Sequence, residues 1–240
     1  MHIAVLAAAL LGRSRAVPAG VDLGGPGWTL TNTNGSISVA VPSVPSVAQT
    51  ALAEAGVIGP PLATGGDEAS SWVIFEDWTY TRNIGPAIAT LLADAPPAAR
   101  MTLVCDGLDA AANVSVAGTE VGQTVDAFLR SAFDVPATAV ASVRANPNVS
   151  VPLRVRLGSP ARYGARERAA HGGSEFTEGT VDSPSVWCSR PGGHSRVNDR
   201  VWVRKEGASY GWNWGPCFMA TGITGAVRLV RATPEAALIA

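Results

Sequence analysis

The stretch GWNWGPCF, residues 211–218, concentrates side chains that could contact a sugar. Trp212 and Trp214 flank Asn213, in a chain with 6% aromatic residues. Indole rings stack on the apolar faces of sugar rings and donate a hydrogen bond through the ring N–H, and an amide both donates to and accepts from hydroxyl groups. These residue types point to a carbohydrate contact. Since most buried tryptophans are structural, a core role for the two indoles stays open.

The spacing within this stretch predicts how its side chains are divided. In extended backbone, successive side chains alternate between faces, so Trp212 and Trp214 would share one face and Asn213 would lie on the other. The Gly215-Pro216 pair predicts that regular pairing ends there. We therefore expect a polar tip at the rim of a domain, supported by the large rings behind it.

Other candidates for catalysis or metal binding have weaker patterns. His171 and His194 lie in glycine-rich stretches and lack the spacing of a metal-binding motif. Glu175 and Glu178 are interpreted as solvated side chains rather than as the rigidly held carboxyl pair of a glycosidase. The sequence contains no hydrolase nucleophile elbow, phosphate-binding loop or dinucleotide fingerprint. We expect no catalytic residue, no metal and no cofactor.

Charge and hydropathy exclude two classes of partner. The net charge is −1 and 15% of residues are charged, so the chain has no basic footprint for nucleic acid. No apolar run reaches the length of a bilayer span, and we expect no membrane partner.

Residues 1–20 and the cysteines leave the compartment open. Residues 1–20 are either a signal peptide or an N-terminal extension, because an apolar stretch at 3–11 precedes small residues, but its arginines follow that stretch. With a leader the protein would be secreted or lysosomal; without one it would be cytoplasmic. Cys105, Cys188 and Cys217 are expected as free or buried thiols, with one Cys188–Cys217 bridge as the alternative in a secreted chain.

Strand patterns dominate the rest of the chain. Hairpin signals occur at Asn34-Gly35 and at Ala117-Gly118. The clearest helix is predicted at residues 46–56, with Ser46 and Gln49 as a capping box, and a long loop is predicted at residues 158–191. Further strands are predicted at 72–84, 101–105, 149–157, 201–205 and 226–230. The pattern predicts an all-β fold, a β-sandwich or jelly roll with a short helix and long loops.

A family resemblance covers nearly all of residues 21–232. Residues 203–230, VRKEGASYGWNWGPCFMATGITGAVRLV, resemble the N-terminal domain of the β-mannosidases of glycoside hydrolase family 2, which carry (I/V)RK…GWDWGP…GIW. Other fragments agree in the same order: WTL at 28–30, EDWTYTR at 76–82, GLD at 107–109 and FDV at 133–135. The resemblance implies a galactose-binding-like jelly roll at 21–232. Residues 1–20 would precede it, and residues 233–240 would be a tail or the start of a linker.

The resemblance also implies a site. In the family, the aspartate of the WDWGP loop reaches the active site of a neighbouring (β/α)₈ barrel and binds hydroxyls of the terminal mannose. The matching position is Asn213, so Trp212 and Asn213 are the expected substrate-binding residues. An amide still bonds to hydroxyls, but it does not supply the charge-assisted bond of a carboxylate. Thr224 is a second departure, since it replaces the tryptophan of the family's GIW.

The implied function is the sugar-pocket-forming domain of a retaining β-mannosidase. The family's catalytic glutamates lie on the barrel, which needs about 250 residues by itself, and no position of this chain matches them. The chain alone is therefore predicted to be inactive. The expected partners are a β-mannoside or mannose-containing glycan and the missing barrel of the same enzyme. The alternatives are a stand-alone carbohydrate-binding module without hydrolase activity and a purely structural domain.

Overall fold

The computed structural model describes residues 20–109, 111–171, 200–211 and 216–232. The strands are β1 (Gly20–Asp22), β2 (Trp28–Asn32), β3 (Ser38–Val41), β4 (Ser46–Val47), β5 (Trp78–Asn83), β6 (Arg100–Cys105), β7 (Ala112–Val116), β8 (Thr119–Thr124), β9 (Ser131–Asp134), β10 (Pro152–Leu157), β11 (Gly222–Ile223) and β12 (Val227–Ala232). The α-helices are α1 (Ala48–Glu54), α2 (Gly66–Ser70), α3 (Gly85–Leu92), α4 (Ala137–Ala145) and α5 (Pro160–His171). Short 3₁₀ helices cover Ser71–Phe75, Arg200–Trp202 and Gly207–Tyr210.

The strands form two large antiparallel sheets and one short pair. The six-stranded sheet has the order β3-β2-β5-β10-β7-β8, and the four-stranded sheet has the order β1-β12-β6-β9. The pair β11-β4 joins the chain after residue 221 to the segment just before α1. No helix within the described ranges is long and apolar enough to cross a membrane.

Alternation along the strands builds the core. In β10, Leu153, Val155 and Leu157 are fully buried while Arg154 and Arg156 are exposed, because successive side chains face opposite sides of the sheet. The buried faces of both large sheets contribute to one hydrophobic cluster. Its largest side chains include Trp28, Leu30, Trp78, Tyr80, Met101 and Leu103. The predicted β-sandwich is confirmed.

Both predicted hairpins are present. β7 and β8 are joined at Ala117-Gly118, whose φ angles of 51° and 82° match the left-handed turn that a tight hairpin requires. The connection of β2 to β3 is longer than the two residues that the Asn34-Gly35 signal predicts, because the backbone bond that closes the hairpin runs from Asn32 N to Ile37 O.

The predicted capping box at the first helix is wrong. Helix α1 begins at Ala48 without a side-chain cap, and Ser46 belongs to β4. The Gln49 side chain instead donates to the carbonyl of Phe218, 169 residues away. A tertiary contact has taken the group that local sequence assigns to a cap.

Three other boundaries differ from the predictions. The strand predicted at 72–84 is shortened to β5 because Ser71–Phe75 forms a 3₁₀ helix. The loop predicted from residue 158 contains α5, and the rest of that loop, residues 172–191, lies outside the described residues. The strand predicted at 201–205 is replaced by a 3₁₀ turn and a single bridge at Arg204.

Candidate functional site

The predicted site residues Trp212 and Asn213 lie within residues 212–215, outside the described part of the chain. Their proposed sugar contacts therefore stay predictions. The described residues on either side of this segment are Gly211 and Pro216. Gly211 is buried with a φ of 78°, and a Cβ added there would lie 3.0 Å from the backbone nitrogen of Cys217. The two ends of the segment are thus in contact.

Backbone hydrogen bonds fix the returning end. The amides of Phe218 and Met219 both donate to the carbonyl of Ser209, at 3.0 and 2.7 Å. The carbonyl of Phe218 accepts a 2.7 Å bond from Nε2 of Gln49, which is buried on α1. The segment is therefore tied both to the 3₁₀ helix that precedes it and to the helix behind it.

A buried ion pair lies next to this anchor. Lys205 is the single lysine of the chain, and its side chain is completely buried. Its Nζ lies 2.8 Å from Oδ2 of Asp109 and also donates to the carbonyl of Ala220. The amide of Asp109 donates to the carbonyl of Gly222 at 3.0 Å. The ammonium group of Lys205, which precedes the loop, thus contacts both Asp109 in the segment after β6 and Ala220 on the far side of the loop.

A neutral phenol completes the polar part of the anchor. The Tyr80 hydroxyl donates a 3.1 Å bond to the carbonyl of Ser46. Burial raises the pKa of Tyr80 well above its ordinary value, and the negative charge of Asp109 adds to that effect. Tyr80 therefore remains a proton donor throughout the physiological pH range.

A second, smaller hydrophobic cluster includes residues that flank the loop. It contains Ile74, Ala161, Val203, Tyr210, Cys217 and Met219. Because the cluster includes residues on both sides of 212–215, burial as well as hydrogen bonding holds the two ends in place. Met219 is fully buried with a φ of 36°, an uncommon backbone conformation for a residue other than glycine.

The cysteines differ in state. Cys217 is disulfide-bonded, so the expectation of free thiols is wrong at this position. Cys105 is a free, buried thiol, and burial, with a contribution from Asp106, raises its pKa to about 12. Cys188, the remaining cysteine, lies outside the described residues.

Of the weaker sequence candidates, only His171 lies among the described residues. His171 lies 3.5 Å from Glu167 on the preceding turn of α5 and stacks on Trp202. In the described ranges, no three His, Cys, Asp or Glu side chains are grouped so as to hold a metal ion. His194, Glu175 and Glu178 lie outside those ranges.

The two packed sheets have the architecture of a galactose-binding-like domain. The family described as the glycosyl hydrolase 2 galactose-binding domain-like family matches residues 28–225. The chain belongs to this family. The match includes the whole of the loop at 211–218 and both sides of its anchor.

Curated relatives are β-mannosidases. The chain is 28% identical over 218 residues to the β-mannosidase of Rattus norvegicus, and this alignment covers 88% of the chain and 22% of that protein. It is 30% identical over 228 residues to β-mannosidase A of Aspergillus niger, which covers 92% of the chain and 22% of that protein. The chain thus spans about a fifth of the length of these relatives.

A solved structure confirms the fold. The β-D-mannosidase of Dictyoglomus thermophilum superposes with a TM-score of 0.64 at 24% identity, covering 88% of this chain and 22% of that one. The galactose-binding-like jelly roll implied by the sequence resemblance is therefore correct.

Local sequence patterns do not predict the contacts that anchor the flanks of the loop. Lys205 and Asp109 were each part of a fragment that resembles the family, yet 96 residues separate them and no local pattern predicts their pairing. The isolated lysine among eighteen basic residues was the available signal, although composition alone suggests only coding bias. Gln49 was misassigned because a capping pattern explained it locally.

Proposed function

We propose that this domain forms one wall of the sugar pocket of a retaining β-mannosidase, with Trp212 and Asn213 as the contributed contacts. The nucleophile and the acid/base of that reaction would be carboxyl groups on a further domain of the same enzyme. Asn213 would bond to hydroxyls of the terminal mannose while the indoles hold it at the rim. The natural ligand would be a β-mannoside or a glycan that ends in β-linked mannose.

The anchoring of the loop at both ends carries this proposal. A sugar contact is useful to catalysis only when it is held in a fixed geometry by the surrounding structure. Here Lys205 bonds across the two flanks to the carbonyl of Ala220, and the flanks are held to the rest of the domain by the buried Lys205–Asp109 pair and the Gln49 bond to Phe218. Curated relatives of a chain with this arrangement are β-mannosidases, which supports mannose as the sugar.

An exposed apolar patch supports the need for a second domain. Val125, Phe128 and Leu129 are 56–60% exposed on the connection between β8 and β9. The same connection is bonded to the residue before Lys205, because Ala127 N donates to the carbonyl of Arg204 at 2.9 Å. Exposed apolar patches of this kind are typical of interfaces. Since the relatives are several times longer than the chain, we propose that another domain of the same polypeptide covers it.

The isolated chain tests this proposal directly. We expect no hydrolysis of an aryl β-mannoside above the buffer background and no saturable binding of mannose, because the catalytic carboxyls and the rest of the pocket belong to other domains. Turnover by the pure chain would contradict the proposal. Saturable mannose binding that is lost in Trp212→Ala, but kept in the exposed-aromatic control Phe128→Ala, would instead favour a stand-alone binding module.

The residue assigned to mannose recognition has its own test in the complete enzyme that carries this domain. Asn213→Asp is expected to raise kcat/KM for an aryl β-mannoside several-fold, since replacing a neutral by a charge-assisted hydrogen bond contributes about 1 kcal/mol. Steady-state kinetics at neutral pH measures the effect.

The matched control is Asn34→Asp, the same change in an exposed turn where the side-chain oxygen already accepts from the Ser36 amide. It should leave kcat/KM unchanged. If Asn213→Asp has no effect or lowers kcat/KM, residue 213 does not contact the sugar in the way proposed.

A further inference from the structure

The outward face of the six-stranded sheet forms a continuous polar groove. A cavity of about 500 Å³ crosses β2, β5, β10, β7 and β8 and is lined mainly by Thr31, Thr79, Thr81, Ser115, Glu120 and Arg154. A second cavity of about 430 Å³ continues between the sheet and α5. Asn113 and Arg156 line both cavities, so the two adjoin and are described together as one groove. Their combined size is in the range of natural ligand sites.

The part of the groove beside α5 has an excess of positive charge. Among the described residues, the lining contains three arginines, Arg156, Arg162 and Arg166, and a single carboxylate, Asp77. Arg166 pairs with Glu167, which is not part of the lining. A ligand with a negative charge would therefore be attracted to this end of the groove.

Asp77 holds two of the guanidinium groups in place and uses only part of their N–H donors. It accepts 2.6 Å bonds from one nitrogen each of Arg156 and Arg162, and a 2.8 Å bond from the amide of Ser159. Each guanidinium has five N–H donors in a planar fork, so further donors remain for a bidentate contact. The arginines are thus oriented before any ligand arrives.

The ionisation of Asp77 is stable at neutral pH. Burial opposes it, but the hydrogen bonds from Ser159 and Arg162 and the positive charges of both arginines outweigh that effect and keep the pKa below its ordinary value. The arrangement of the two guanidinium groups consequently does not change across the physiological range.

We propose that this groove binds an acidic oligosaccharide, with a carboxylate, sulfate or phosphate group on Arg156, Arg162 and Arg166. Hydroxyl and amide side chains further along the sheet, such as Thr79, Thr81 and Asn113, would bond to the sugar hydroxyls. This proposal does not depend on the proposed role of the loop at 211–218.

The lining also indicates why an acidic ligand is favoured over a neutral one. Tyr163 is the only aromatic ring among the described residues that line the groove, and Arg166 lies 4.8 Å from its centre. Recognition by ring stacking is therefore weak, and the charged groups must supply the affinity. Nucleic acid is disfavoured because single strands need several stacking platforms and the chain has a net charge of −1.

Calorimetric titration of the full chain at low ionic strength tests the proposal. The probes are tri-galacturonic acid for carboxylates, a heparin-derived tetrasaccharide for sulfates, mannose 6-phosphate for phosphates, and mannotetraose as the neutral comparison. We expect saturable binding of at least one acidic probe, about tenfold or more tighter than mannotetraose, and weakening as salt is added.

Two variants locate the site. Arg166 does not bond to Asp77, so Arg166→Gln leaves the other two arginines in place and should weaken binding of the acidic probe about tenfold. Arg162→Gln should weaken it by a similar factor. Arg100→Gln is the control, because Arg100 is an exposed, ion-paired arginine on the other sheet. Circular dichroism establishes that each variant is folded.

Each outcome decides the question. Equal affinity for neutral and acidic probes, no binding of any probe, or an equal loss in Arg100→Gln would overturn the proposal. Equally tight binding of a single-stranded oligonucleotide would show a non-specific anion surface instead and would also overturn it. None of these results bears on mannoside hydrolysis, so failure here leaves the proposed function intact.

Discussion

Replacing Lys205 with methionine is expected to lower the free energy of unfolding by about 3–5 kcal/mol, the range for removing one partner of a buried ion pair. The change leaves the carboxylate of Asp109, which is 4% exposed, without the ammonium group 2.8 Å away. It also removes the donor to the carbonyl of Ala220. Chemical denaturation followed by circular dichroism measures the loss.

Two further variants separate the buried pair from charge in general. Arg100→Met breaks the exposed pair with Asp134 and should change the free energy of unfolding by less than about 1 kcal/mol. The double variant Lys205→Met/Asp109→Leu should be more stable than Lys205→Met, since it also removes the buried carboxylate that has lost its lysine partner. A loss in Lys205→Met no larger than in Arg100→Met would show that the pair does not hold the anchor together.

Gly222→Ala should destabilise the domain by about 3 kcal/mol through overpacking. A Cβ at this position would lie 2.2 Å from the carbonyl oxygen of Ser46 and 2.5 Å from the Cα of Val47. Both are backbone atoms, so β11 and β4 would have to separate. For a domain of this size the melting temperature should fall by about 6–12 °C, which differential scanning calorimetry measures.

Gly59→Ala is the matched control for this substitution. A Cβ at Gly59 would have no heavy atom within 4 Å, and the residue does not have a left-handed φ. Its melting temperature should stay within about 2 °C of the unmodified protein. If the two alanine variants melted together, the close approach of β11 to β4 would not be a constraint on the fold.

The sequence predicts those parts of the fold that depend on neighbouring residues. The β7–β8 hairpin was identified because Ala117-Gly118 supplies the turn and the flanking residues alternate. Helix α5 was missed, although Ser159 and Pro160 are good residues at a helix start, because its arginines and glycine resemble those of the polar stretch that follows.

The anchor of the loop depends on distant residues, and this is why local reasoning failed there. Val201 and Val203 alternate as in a strand, but the segment turns so that Lys205 reaches Asp109. The Gln49 side chain donates to the carbonyl of Phe218, 169 residues later, and does not cap the helix. The family resemblance includes both Asp109 and Lys205, because it compares whole ordered patterns rather than neighbouring residues.

The burial of Lys205 also determines how the protein meets amine-directed chemistry. Lys205 and the α-amino group are the only primary amines in the sequence. Because Lys205 is buried, the native surface offers no side-chain amine to acetylating agents, aldehydes or enzymes that attach ubiquitin to lysine. A tag on residue 205 would therefore mark molecules in which the sandwich has opened. The chain carries a built-in reporter of its own unfolding.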